Sequence, residues 1–140
     1  MLAEKLSNLD KYFRRHHYKS LFNRIREKDG SLSATEAYSA DVIYLLGEPT
    51  IKQFSEFLDI SQPNATYKVA NLAAKGYIDK IPSEDDHREF HLILTKKFYN
   101  YYDVRDKFFA ESANILKEKF PKEDIDKFTE MLSVIIETEK

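Results

Sequence analysis

Residues 58–81 read LDISQPNATYKVANLAAKGYIDKI, and this stretch decides the fold. Ser61 is a good helix N-cap, and Pro63 follows in the first turn, where backbone N–H groups have no intrahelical partner and a proline costs little. Gly76 is the residue expected just beyond the helix C-terminus. We therefore predict a helix over residues 62–75 that ends at Gly76 and leads at once into a strand.

The two sides of this predicted helix differ in chemistry. One side carries an apolar stripe at helical spacing, which predicts a buried face made of Ala65, Val69, Leu72 and Ala73. The other side carries neutral hydrogen-bonding groups where a solvated helix would carry Glu and Lys. The side chains suited to base edges are Gln62, Asn64, Thr66 and Tyr67, and those suited to the phosphate backbone are Lys68 and Asn71. The alternative is a solvated helix that is rich in amides.

A short hairpin is predicted directly after this helix. Residues 77–81 and 90–94 have the composition of strands, and the polar residues 82–89 connect them. Arg88, near the tip of that loop, can reach the DNA minor groove, where A·T-rich stretches concentrate negative potential. A bidentate pair with Asp86 would orient its guanidinium. A solvated charged turn is the alternative.

Two capping boxes mark the helices that precede this unit. The pairs are Ser33 with Glu36 and Thr50 with Gln53. They predict helices over residues 34–46 and 51–58. Two short helices joined by a tight turn and followed by a hairpin form a winged helix-turn-helix, whose second helix enters the DNA major groove. The predicted recognition helix is residues 62–75, and the predicted wing is residues 82–89.

Long amphipathic helices flank this unit at both ends. Apolar residues at three- and four-residue steps predict helices over residues 2–28, 96–119 and 122–138. Their apolar surface exceeds what one small winged domain can cover, so a bundle shared between two chains is the economical way to bury it. An intramolecular helical subdomain is the alternative. The predicted fold class is mainly α with a small β-hairpin wing, a winged helix-turn-helix domain flanked by N- and C-terminal dimerisation helices.

The net charge of −2 is unevenly distributed along the chain. Residues 1–28 hold eight Lys or Arg against three Asp or Glu, whereas residues 29–60 hold one against six. Such asymmetry permits a basic face on an acidic protein, although it does not by itself identify one.

Several classes of protein are disfavoured by what the sequence lacks. The absence of cysteine excludes disulfides, thiolate metal sites and cysteine nucleophiles. The sequence has no Gly-rich phosphate loop, no Gly-x-Ser-x-Gly and no HExxH, so we do not expect an enzyme or a cofactor. It also has no apolar run of membrane-spanning length and no signal-peptide core, which predicts a cytoplasmic protein.

The order of elements, residues 58–81 and the wing tip Asp86-His87-Arg88 together resemble the MarR family of bacterial winged-helix transcription regulators. The resemblance covers nearly the whole chain, and its most specific parts are Lys75-Gly76-Tyr77-Ile78 and the Asp-x-Arg wing. It implies a single domain over residues 1–140, with DNA binding in residues 34–95 and dimerisation through 1–30 and 96–140. It further implies a homodimer on a pseudo-palindromic operator, usually a repressor that a small ligand releases.

The resemblance also implies roles for single residues. Pro63, Asn64, Thr66 and Tyr67 fall where the family contacts bases, Arg88 falls on the minor-groove arginine, and Asp86 on its orienting partner. The recognition face departs from many members in having Tyr67 where they carry an arginine. The predicted DNA-contacting set is Ser61, Gln62, Pro63, Asn64, Thr66, Tyr67, Lys68, Asn71 and Arg88.

Aromatic residues suggest a ligand cleft next to the DNA-binding region. In the family, the helices that carry Tyr12, Phe13, Tyr38 and Tyr44 border such a cleft, and aromatic walls with a few hydroxyls suit a planar apolar effector. Such residues are also common in ordinary cores, which is the alternative.

The four histidines do not have the spacing of a metal site. His16 and His17 are neighbours on a helix and point about 100° apart. We expect them at the surface or against phosphate, and we expect no third ligand for His87 and His91. We therefore predict no metal.

Two functions compete on these observations. The first is a dimeric, sequence-specific DNA-binding regulator. The second is a winged-helix protein-interaction module that does not bind DNA, which the acidic total charge favours.

Overall fold

The computed structural model of the chain describes residues 1–25, 32–86 and 88–138, with all their side chains except those of residues 22–25 and 101–105. The elements follow in the order α1 (Leu2–Ile25), α2 (Ala34–Leu46), α3 (Ile51–Leu58), α4 (Gln62–Ala74), β1 (Ile78–Pro82), β2 (Phe90–Leu94), α5 (Lys96–Lys119) and α6 (Lys122–Glu137). The two strands pair antiparallel, with Ile78 opposite Leu94 and Pro82 opposite Phe90. This architecture confirms the mainly α fold with a small β-hairpin wing, flanked by long N- and C-terminal helices. The predicted continuation of the first helix over residues 26–28, and its end at residues 29–31, lie outside the described residues.

Both predicted capping boxes are present. The Ser33 hydroxyl accepts a hydrogen bond from the Glu36 backbone N–H at 3.2 Å, and the Glu36 carboxylate accepts one from the Ser33 N–H at 2.9 Å. Thr50 and Gln53 exchange the same two bonds at 3.1 and 2.9 Å. These local bonds satisfy N–H groups that the first helical turn leaves without partners, so they fix where α2 and α3 begin.

The end of α4 explains a small shift in the predicted hairpin. The Gly76 N–H donates to the Ala73 carbonyl at 3.0 Å, and the Tyr77 N–H donates to the Leu72 carbonyl at 3.1 Å. This pair of bonds is a Schellman motif, and it needs the left-handed backbone of Gly76, where φ is 81°. Because the Tyr77 amide is used to end the helix, the first strand begins at Ile78, one residue later than predicted.

The chain divides into two compact units, Met1–Tyr102 and Asp103–Lys140. In the first unit, α2, α3, α4 and the hairpin pack around one hydrophobic core. Its largest fully buried side chains are Phe54, Phe98, Leu32, Ile43, Leu72, Ile78, Leu92 and Val69. The buried stripe predicted for α4 is part of this core, apart from Ala73, which is only partly buried.

The hairpin is also tied to the segment before α3, a contact that the sequence analysis did not foresee. Thr50 and His91 form an antiparallel bridge, and the Leu92 N–H donates to the Pro49 carbonyl at 2.8 Å. Nδ1 of His91 lies 3.1 Å from the Glu48 carbonyl oxygen. The segment before α3 and the strand β2 are therefore held together by backbone bonds.

In the second unit, none of the residues of α6 is buried. Its large apolar side chains with the greatest exposure are Met131, Val134, Ile135 and Ile136. Apolar side chains of α1, among them Leu2 and Leu6, are exposed in the first unit. Within the described residues, no helix combines the length and apolarity needed to cross a membrane.

We expect Phe54→Ala to lower the free energy of unfolding by about 3–5 kcal/mol, because it removes a fully buried ring from the core and leaves a cavity. Phe57 lies on the same helix but is 60% exposed. The control Phe57→Ala should therefore change stability by less than about 1 kcal/mol. Urea unfolding followed by circular dichroism measures both values, and equal losses in the two variants would contradict this account of the core.

Candidate nucleic-acid interface

The orientation of α4 follows from its buried face. Ala65, Val69 and Leu72 are completely buried, so the opposite side of the helix faces solvent. The Ser61 hydroxyl accepts a hydrogen bond from the Asn64 N–H at 3.2 Å and caps the exposed N-terminal end. Gln62, Pro63, Asn64, Thr66 and Tyr67 are all exposed, whereas Lys68 and Asn71 are partly buried. Apart from Ser61 and Arg88, the side chains predicted to contact DNA therefore lie on the solvent side of α4.

Helical geometry divides this solvent side into a crest and two flanks. At about 100° per residue, Pro63, Tyr67 and Ala70 lie along the crest, furthest from the core. Gln62 and Thr66 lie on the flank that faces the hairpin, and Asn64 and Lys68 lie on the flank that faces α2. The crest thus combines small side chains with one large amphipathic ring, Tyr67, which is 68% exposed.

The tip of the hairpin presents one arginine to solvent. The side chain of Arg88 is 92% exposed, and its Nε donates to Oδ1 of Asp86 at 3.3 Å. The Arg88 backbone N–H donates to the same oxygen at 3.0 Å. Asp86 does contact the guanidinium, but through one carboxylate oxygen, so the predicted bidentate pair is not formed. The reason is that this one oxygen accepts from both the backbone N–H and Nε of Arg88.

Contacts that were not predicted from the sequence hold the C-terminal end of α4. Nζ of Lys75 lies 2.7 Å from Oε1 of Glu36, the oxygen that also caps α2. Nζ of Lys97, in the first turn of α5, donates to the Lys75 carbonyl at 2.7 Å and lies 4.6 Å from the centre of the Tyr77 ring. The Thr95 hydroxyl donates to the Gly76 carbonyl at 2.6 Å. Contacts from α2 and from the start of α5 thus fix the far end of the helix.

Glu36 is held in its charged form by these partners. Its burial by itself would raise the pKa, but hydrogen bonds from Lys75 and Ser33 outweigh the burial and keep the Glu36 pKa below its ordinary value. A groove of about 470 Å³ lies beside this ion pair, between α2 and α4, and Lys68 and Asn71 line it. The charge of Lys75 on this flank is thus balanced by a carboxylate.

The four residues predicted to line a ligand cleft each contact another aromatic ring. The ring of Tyr12 lies 5.9 Å from that of its sequence neighbour Phe13, and the rings of Tyr38 and Tyr18 are 6.4 Å apart. Tyr44 contacts the buried Phe98 at 5.9 Å. Tyr38 and Tyr44 are six residues apart on α2, so they point about 120° apart. The structure does not bring these two side chains to one face of α2.

The histidines differ from the sequence expectation. His16 and His17 are partly buried, which corrects their prediction as surface residues. Nε2 of His17 lies 3.2 Å from Oδ2 of Asp41, because α1 packs on α2 at this point. His87 lies outside the described residues. Within residues 1–25, 32–86 and 88–138, no group of three or more metal-ligating side chains could hold an ion.

Comparison with protein families identifies the part of the chain that forms this surface. Residues 31–89 match the model of the MarR family. The matched segment covers α2, α3, α4, β1 and the loop up to Glu89. This family consists of transcriptional regulators and not of enzymes. Among proteins with curated functions, none matches the chain significantly.

Solved structures share the fold along nearly the whole chain. FabT of Streptococcus pneumoniae in complex with DNA is 24% identical, with 99% of this chain and 96% of that chain covered and a TM-score of 0.59. A MepR mutant from a multidrug resistant S. aureus clinical isolate is 14% identical, with 96% of this chain and 97% of that chain covered and a TM-score of 0.66. A MarR mutant from E. coli complexed with operator DNA is 14% identical, covers 94% and 93%, and has a TM-score of 0.53.

Glu36→Gln should lower the free energy of unfolding at pH 7 by about 1 kcal/mol, because glutamine keeps the capping geometry but loses the charge that faces Lys75. The folded pKa of Glu36 is depressed, so its contribution is complete above the ordinary glutamate value of 4.5 and is lost as the pH falls through the lower folded pKa. Urea unfolding of both proteins between pH 7 and strongly acidic pH measures this difference.

The matched control for this experiment is Glu56→Gln on the exposed face of α3. It should leave stability nearly unchanged at every pH. A difference between wild type and Glu36→Gln that persists undiminished into acid would show that charge on Glu36 is not its source.

Proposed function

We propose that this chain, a member of the MarR family of winged-helix proteins, is a sequence-specific DNA-binding transcriptional regulator. In this proposal, α4 enters the major groove and the wing, residues 82–89, contacts the adjacent minor groove. Residues 34–95 are the DNA-binding region. The observation that carries the proposal is the position of Arg88 beside the exposed face of α4, on one compact unit.

The chemistry of the exposed face supports contact with base edges. Gln62, Asn64 and Thr66 offer amide and hydroxyl groups that can pair with bases in the major groove. The small crest residues Pro63 and Ala70 allow the helix backbone to approach the groove floor, and apolar side chains can contact thymine methyl groups. Ser61, Lys68 and Asn71 lie where phosphates border the groove, and the N-terminus of α4 favours an anion.

The exposed guanidinium of Arg88 supports contact with the minor groove. Asp86 holds Nε, so the two terminal nitrogens lie at the outer end of a side chain that is almost fully exposed. A guanidinium presented in this way suits the negative potential of a narrow, A·T-rich minor groove.

The same proposal includes a homodimer that binds a pseudo-palindromic operator. Apolar side chains are exposed on α1 and on α6. They support a bundle formed with a second copy through residues 1–30 and 96–140. We infer a repressor that acts in the cytoplasm. We also infer that a small aromatic effector releases the protein from DNA by binding at Tyr12, Phe13, Tyr38 or Tyr44. Because Tyr38 and Tyr44 lie on different faces of α2, they would contact different sides of such an effector.

A protein-interaction module that does not bind DNA is the second candidate. The net charge of −2 favours it, because long-range repulsion weakens the approach of an acidic protein to DNA. The two candidates differ in whether the chain binds DNA, and the first also requires that Arg88 and Asn64 contribute to that binding.

Selection from a random DNA pool should yield an inverted repeat of two half-sites, because each protomer of a dimer places one α4 in the major groove. On that operator, Arg88→Ala and Asn64→Ala should each cost about 1–3 kcal/mol of binding free energy. Fluorescence anisotropy measures the affinities. Lys122→Ala, at a side chain on α6 that is 90% exposed, is the control and should bind normally. Normal binding by both Arg88→Ala and Asn64→Ala would refute the roles proposed for these two residues. Failure of the folded wild-type protein to enrich any sequence at low salt would favour the protein-interaction module.

Ile135→Lys should convert the dimer to a monomer and abolish tight operator binding, because it places a charge in the exposed apolar face of α6, where Ile135 is 54% exposed. Asp126→Lys puts the same side chain on the polar face of that helix and should leave the dimer intact. Sedimentation velocity of the wild type and both variants distinguishes these states. A monomeric wild type at micromolar concentration would refute the dimer.

A further inference from the structure

A groove lies on the hairpin side of α4, between α3, α4 and the hairpin. Its volume is about 310 Å³. It is lined by side chains from α3, from the first turns of α4 and from the hairpin. Its charged and hydrogen-bonding side chains include Lys52, Gln62, Thr66, Lys80, Arg88 and Glu89. The three cations among them come from α3, from β1 and from the hairpin loop, so only the folded chain brings them together.

Two of these cations are uncommitted. Lys52 and Lys80 are exposed, and within the described part of the chain neither has a carboxylate within the 4.0 Å of an ion pair. The third, Arg88, shares an oxygen of Asp86. Glu89 is the carboxylate on the groove wall, so positive charge is in excess. The opposite flank of α4 differs, because Glu36 is bound to Lys75 there at 2.7 Å.

The position of the groove indicates what it would bind. One sugar-phosphate strand separates each major groove from the neighbouring minor groove. If α4 lies in the major groove and Arg88 reaches the minor groove, that strand must pass between the helix and the wing. The groove occupies this place, with Gln62 and Thr66 on its helix side and Arg88 on its wing side.

We propose that this groove is a phosphodiester-binding cradle in which Lys52 and Lys80 hold the DNA strand between helix and wing. The inference rests on the proposed function and extends it to two residues outside the predicted contact set. Ammonium groups bind phosphate oxygens without reading sequence, so the two lysines set the register of the protein on the duplex. Gln62 and Thr66 can donate to the same phosphates from the helix side.

The test measures operator affinity as a function of salt concentration for Lys52→Ala, Lys80→Ala and the double variant. Each phosphate contact contributes about 0.9 to the slope of log K against log salt. A dimer of a single variant loses two contacts, so the magnitude of its slope should fall by about 2, and that of the double variant should fall by about 4. Affinity should fall by the same factor for the selected operator and for a random duplex of about 30 base pairs, which accommodates two half-sites. The ratio of the two affinities should therefore stay constant.

Three controls make the outcome specific. Lys122→Ala removes an exposed lysine from α6 and should keep the wild-type slope. Lys52→Arg and Lys80→Arg keep the charge and should restore most of the slope. Circular dichroism of the alanine variants should match wild type, because both side chains are exposed.

The possible failures are distinguishable. Wild-type slopes in Lys52→Ala and Lys80→Ala, with operator binding intact, would overturn the cradle and leave the proposed function standing. A changed affinity ratio at an unchanged slope would assign the lysines to base recognition and would also overturn it. A wild-type chain that binds neither duplex at low salt would overturn both proposals.

Discussion

Burial of Ala65, Val69 and Leu72 against the core of the first unit is the contact on which the rest of the surface depends. These three side chains occupy one narrow sector of α4 and are fully buried. Because they are of small or moderate size, the helix packs closely on α2 and α3 and has little freedom to rotate about its axis. That rotation decides which residues form the crest and which line each flank. The buried face thus fixes which side chains of α4 are presented to solvent.

Charge on this protein is organised locally, and its total is a poor guide to its surface. The carboxylate of Glu36 neutralises Lys75 on one flank of α4, whereas Lys52 and Lys80 keep their charge on the other. An acidic chain can therefore present a basic strip beside a nearly neutral recognition face. In the proposed complex with DNA, the strip and the face have separate tasks, since phosphate contacts supply affinity and neutral amides and hydroxyls supply selectivity.

Capping and turn signals in the sequence predicted the helices and strands well. Contacts between residues far apart in the chain could not be predicted in this way. The capping boxes at Ser33 and Thr50 and the glycine at position 76 act within a few residues, so their effect can be read from the sequence. The pairing of Glu36 with Lys75 and the bridge between Thr50 and His91 join residues about 40 positions apart, and no periodicity signals them. The prediction of surface histidines failed for the same reason, because Asp41 reaches His17 only through the packing of α1 on α2. The grouping of Lys52 with Lys80 likewise appears only in three dimensions.

The anchoring of the hairpin has a consequence for how such proteins can diverge. The bonds of Leu92 to Pro49 and of His91 to Glu48 hold the second strand of the hairpin, while the loop is closed by its own bonds, from Ser83 to Glu89 and from Glu89 to Asp86. Insertions or deletions between Ser83 and Asp86 would then alter the reach of Arg88 without moving α3 or α4. Loop length and helix sequence can vary independently, so in the proposed complex the contact of Arg88 with the minor groove can change while the bases contacted by α4 stay the same.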